Sequence, residues 1–89
     1  MRILKGKDSK DIIIQVGDVN IGKNIANLRK KRDIKQNEMV KLLQLEGIDI
    51  SIYSYNRIEK GNQNPSVSLL YICSKILGCD MNDIFGYRE

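Results

Sequence analysis

YNRIEKGNQNPS (55–66) closes one helix, crosses a polar loop and opens another in a single short run. Tyr55 and Ile58 stand three apart, the spacing of neighbours on one helix face, and both suit a buried one. Gly61 ends that helix, Asn62–Pro65 is loop, and Pro65 with Ser66 introduces the next. Upstream, Ser51 or Asp49 can cap the same helix, which then runs through Glu59. With Tyr55 and Ile58 committed to the core, helical spacing leaves Ser51, Ile52, Tyr53, Asn56 and Arg57 outward.

The same reading extends in both directions. Asn20 caps a first helix whose apolar residues Ile21, Ile25 and Leu28 recur at helical spacing, and which ends in LRKKR (28–32) with cations at the negative end of its dipole. A second helix starts near Gln36, carries Met39, Val40, Leu42 and Leu43, and stops at Gly47. After Ser66, a fourth helix puts Leu69, Leu70, Cys73, Ile76 and Leu77 on its buried side, and Gly78 fits the left-handed position that closes it. Asp80 then caps a short last helix bearing Met81, Ile84 and Phe85. Five short helices with short connections predict a compact all-α domain.

Residues 1–19 read differently, as an arm before a domain at 20–85 and a tail at 86–89. IIIQV (12–16) is a β-branched run bounded by turn-forming residues, a strand that Arg2–Lys5 could join across Gly6–Lys10 as a hairpin. A lone hairpin is marginal in water, and an open strand edge readily pairs with another chain. Residues 11–16 are therefore expected to pack against a second subunit.

At 89 residues and 42% apolar content, the chain fits one globular domain able to bury a modest core. No apolar run approaches the roughly 20 residues of a membrane span, and MRILKGKDSK lacks the apolar stretch of a secretory signal, so no membrane association and a cytoplasmic location are expected. Cys73 and Cys79 are too few for a disulfide framework, and a reducing compartment favours buried free thiols. Histidine is absent, which removes the commonest general base and metal ligand. Tyr53, Glu59 and Lys60 form no set of nucleophile, base and oxyanion donors. No enzyme, metal or cofactor is expected. The net charge of +4 is concentrated: in residues 21–35, Lys23, Arg29, Lys30, Lys31, Arg32 and Lys35 face Asp33 alone. Such a segment suits phosphate contact or an ordinary solvated helix end.

Three stretches, IGKNIANLRKKRDIKQNEMV (21–40), YNRIEKGNQNPS (55–66) and LLYICSKILGCDMNDIF (69–85), resemble the Cro and XRE-like helix-turn-helix family in their order and spacing. The resemblance covers residues 21–85 and implies a five-helix, lambda-repressor-like DNA-binding domain. Two departures stand out. LQLEGIDIS (43–51) is longer than the tight turn this family ordinarily places between its second and third helices. Met39 and Val40 also stand where Leu and Ala are usual.

By this resemblance the helix at 51–59 enters the major groove. Asn56 can bind adenine at two points, and Arg57 can do so with guanine. Ile52 suits a thymine methyl and Tyr53 a base or phosphate, unless the longer connection buries one of them. Gln36 is implied to touch a phosphate, or is simply a helix-start residue. Lys60, Asn62 and Gln63 follow the recognition helix where the family contacts backbone or a flanking base. Lys35 is a further phosphate candidate. Arg29 and Glu59 are implied to form a structural ion pair.

The implied function is a sequence-specific transcriptional regulator, a repressor bound to double-stranded DNA as a homodimer on a palindromic operator. The alternative is an antitoxin or restriction-modification controller acting with a partner protein. Dimerisation is expected near the last helix, through Ile84, Phe85 and Tyr87, or through the arm.

Overall fold

The computed structural model describes residues 20–86 and, for backbone alone, Arg2–Ile3 and Ile13–Ile14. Those two short strands, β1 (Arg2–Ile3) and β2 (Ile13–Ile14), pair antiparallel with Arg2 opposite Ile14 and Ile3 opposite Ile13. The expected packing of residues 11–16 on a second subunit lies outside the described residues, as does Tyr87.

The domain is five helices, α1 (Ile21–Lys31), α2 (Gln36–Leu45), α3 (Ile52–Glu59), α4 (Val67–Leu77) and α5 (Met81–Phe85). Local chemistry fixes most of their ends. The side chain of Asn20 accepts from the Lys23 N–H at 3.0 Å, that of Ser51 from Ser54 at 3.1 Å and that of Ser66 from Leu69 at 3.1 Å. Each satisfies a backbone donor that a helix start leaves free. Ser51, not Asp49, is thus the cap of α3. Asp80 and Asp83 cap α5 reciprocally. At α2 no side-chain cap is present, but Glu38 reaches back to the Lys35 N–H at 3.1 Å. The chain leaves α1 through Asp33 at φ 57°, a left-handed turn that sends the Asp33 and Ile34 N–H groups onto the Lys30 and Arg29 carbonyls.

The longer connection between α2 and α3 is held from within. Leu45 ends α2, the backbone turns at Gly47, and the Gln44 amide donates to the Ile50 carbonyl at 2.9 Å. Ile50 is buried and Ile48 packs partly against the core. The added residues therefore add apolar contact as well as length, and they leave α3 packed on α1 and α2.

The core joins Ile21, Ile25, Met39, Val40, Leu43, Tyr55, Ile58, Leu69, Leu70, Cys73, Leu77 and Ile84. Fully burying each large aliphatic chain is worth about 1.5–3 kcal/mol. Three sequence expectations need correction. Leu42 is 37% exposed. Ile76 is only partly buried. Ile84 is fully buried inside the domain, so it belongs to the core and is not free to meet a partner.

Gly22 sets the spacing of α1 and α3. A Cβ at that position would fall 2.0 Å from the Ile58 carbonyl oxygen and 2.9 Å from that of Glu59. Only a residue without a side chain allows the two backbones to approach this closely. Asn24, two residues on and so on the other side of the helix, donates to the Ile84 carbonyl at 2.9 Å and ties α1 to α5.

Candidate nucleic-acid interface

Behind α3 lies a buried ion pair. Arg29 donates from Nε to Glu59 Oε2 at 2.7 Å and from a terminal nitrogen to Oε1 at 3.0 Å, a fork-on-carboxylate arrangement. A third donation, to the Ile34 carbonyl at 2.7 Å, holds the turn after α1. Both side chains are almost fully enclosed. Burial works to push the Glu59 carboxyl up, but the hydrogen bonds from Arg29 and Gln36 outweigh it and hold it below the ordinary glutamate range. The hydrogen bond to Glu59 raises Arg29 further. The Tyr55 hydroxyl is buried beside this pair, near enough to feel the carboxylate yet without hydrogen-bond geometry to a described group. Burial first, and then the neighbouring Glu59 carboxylate, push that hydroxyl far above its usual range.

In front of the pair stands a row of polar side chains. Gln36 donates to Glu59 Oε1 at 2.8 Å and accepts from the Asn56 amide at 3.2 Å. Gln36 opens α2 and Asn56 lies midway along α3, so this contact joins the two helices on their outward side. Arg57 donates from Nε to the Gln63 side-chain oxygen Oε1 at 3.1 Å, which braces its guanidinium against the loop after α3. Asn62 holds that loop by its backbone, its N–H meeting the Arg57 carbonyl at 2.8 Å.

Gln36 and Asn56 are half-buried, as is Gln63, and Ser51, Arg57, Lys60 and Asn62 are exposed. Ser51 spends its hydroxyl as a cap acceptor. Ile52 is 37% and Tyr53 77% exposed, so the longer connection buries neither. Lys35 is exposed immediately before α2, and Lys30, Lys31 and Arg32 are exposed at the end of α1. The structure joins Gln36 to Asn56 and Arg57 to Gln63, and Lys30, Lys31 and Arg32 lie exposed at the end of α1.

Three features escaped the sequence reading. Gly22 carried one faint signal, since a glycine inside a helix costs stability and usually has a packing reason. The Gln36 bridge and the Gln63 brace carried none, because each joins residues whose proximity only the fold creates. Among the described residues, no group of Cys, Asp or Glu is placed to hold a metal ion. No helix there is long and apolar enough to cross a membrane.

Five helices that hold α3 outward on α2, its end locked to α1 by an ion pair, define a helix-turn-helix DNA-binding domain. A helix-turn-helix family profile matches residues 25–84, most of the chain, and the protein belongs to that Cro and XRE-like family of DNA-binding transcriptional regulators. The fold is similar to that of the restriction-modification controller protein C.AhdI from Aeromonas hydrophila, with a TM-score of 0.64 at 18% identity over 75% of this chain and 94% of that one. No curated protein sequence matches the chain significantly.

Proposed function

We propose that this regulator is a repressor that binds a two-fold symmetric operator as a homodimer, reading bases through α3. The observation that carries the reading is the outward face of α3, where Asn56 and Arg57 are held by Gln36 and Gln63 beside exposed Lys35 and Lys60. Amide and guanidinium groups fixed on a helix are what base edges in the major groove require. Ile52 offers a methyl-sized contact and Tyr53 a longer one. Lys35 and Lys60, with Asn62 and the start of α2, take the phosphates. Dimerisation is expected because one such domain covers little DNA, and a symmetric site doubles the contact. Phe85, half-buried at the end of α5, remains available for it.

Selection of bound sites from random duplex DNA, with sedimentation of the complex, tests this reading. The expected outcome is two inverted half-sites about one helical turn apart, carrying two chains. Asymmetric sites bound by one chain contradict it.

A second reading, a restriction-modification controller, is favoured by the likeness to C.AhdI, of which the match covers 94%. A methyltransferase gene beside this one, with selected sites in the shared promoter, would favour it over a general repressor.

A further inference from the structure

The hydrogen bonds between Arg29 and Asn56 form a single polarised chain. Glu59 receives donors from Arg29 and from Gln36. A carboxylate only accepts, so Gln36 must turn its NH₂ toward Glu59. Its carbonyl oxygen then faces the other way, toward Asn56, and can only accept. Asn56 must therefore present its NH₂ to Gln36, at 3.2 Å. Neither amide is free to flip. Each would otherwise have two nearly equivalent orientations, indistinguishable in shape.

We propose that Gln36 is a positioning residue for DNA specificity: it carries the orientation imposed by the buried Glu59 outward to Asn56 and thereby fixes which base Asn56 prefers. The proposal rests on the reading of α3 as the base-contacting helix. One Nδ2 hydrogen of Asn56 is committed to Gln36. The other hydrogen and Oδ1 are left, an adjoining donor and acceptor. Adenine shows the complement in the major groove, an acceptor at N7 and a donor at N6, whereas guanine shows two acceptors. Asn56 so held selects adenine. With the Gln36 amide removed, Asn56 can rotate and flip, and its preference fades although it stays in place. Glu59 loses one donor by such a change but keeps both hydrogen bonds from Arg29, so the helix that the pair anchors keeps its position.

The test compares site selection from random duplex DNA by the full-length chain and by Asn56→Ala, Gln36→Met and Gln36→Ala variants. Asn56→Ala identifies the position that Asn56 reads, which is expected to be adenine. Both Gln36 variants are expected to lose at least about fivefold of the discrimination at that same position, the low end of what one bidentate pair supplies, and to keep the other positions. Loss spread evenly over all positions, or an unchanged preference at that one, overturns the proposal. So does a position that is not adenine.

The Asn56 side-chain amide signal of the free, ¹⁵N-labelled protein gives a second readout that needs no DNA. It is expected to shift and exchange faster in both Gln36 variants, and an unchanged signal overturns the relay. If the native chain enriches no site while this signal changes as expected, base reading by α3 fails and the specificity role falls with it, while the relay itself stands.

Discussion

Gly22 of α1 lies against the backbone of Ile58 in α3, so close that a β-carbon would sit 2.0 Å from the Ile58 carbonyl oxygen. That contact sets how near α3 sits to α1. Helix propensity alone would favour alanine at this position by up to about 1 kcal/mol. Overpacking against backbone opposes it, at a typical cost of 1–3 kcal/mol, and rigid backbone places this site at the upper end. Gly22→Ala is therefore expected to lower the melting temperature and, by displacing α3, to weaken operator binding. A more stable variant would mean that α1 and α3 do not meet at this point.

The Arg29–Glu59 pair is enclosed, so removing one partner strands a charge. Glu59→Ala is expected to cost about 3–5 kcal/mol, a large part of a small domain's stability. The double change Arg29→Met with Glu59→Leu removes both charges and should recover much of that loss. Urea denaturation of the three proteins checks it. A double variant as unstable as the single one would show that packing, and not the stranded charge, dominates.

Acid should reveal the same pair. The Glu59 carboxyl is held below its ordinary value, so its contribution is complete above the unfolded value of about 4.3 and is lost as pH falls through the folded one. Stability measured by denaturant titration at successive pH values is expected to fall in that acid window, and to fall less steeply in Glu59→Gln. Equal slopes for the two proteins would place the acid sensitivity in other carboxylates.

Helix ends were legible in the sequence because caps are local. Asn20, Ser51, Ser66 and Asp80 each act within their own next turn, and Gly78 takes the left-handed φ of 61° that its position requires. The outward set on α3 followed from period alone once Tyr55 and Ile58 were assigned inward. Contacts between helices were not legible in this way. Leu42 fits the apolar period of α2, yet what covers a helix face depends on where the next connection runs. Gln36 reads as a phosphate contact or a helix start, whereas in the folded chain its amide is already engaged by Glu59 and Asn56. The ion pair came from family resemblance, since thirty residues separate its members and no spacing rule joins them.

Base reading by α3, as proposed, is tested most directly at Arg57. Titration of one selected duplex and one random duplex, at the same salt concentration, gives the specific and non-specific affinities of the native chain and of Arg57→Ala. The native chain should favour the selected duplex by about 10³ or more. Arg57→Ala should lose about 1–3 kcal/mol on the selected duplex and little on the random one, because a base contact carries sequence information and a phosphate contact does not. Equal losses on both duplexes would place Arg57 on the phosphate backbone and contradict base reading by this face of α3.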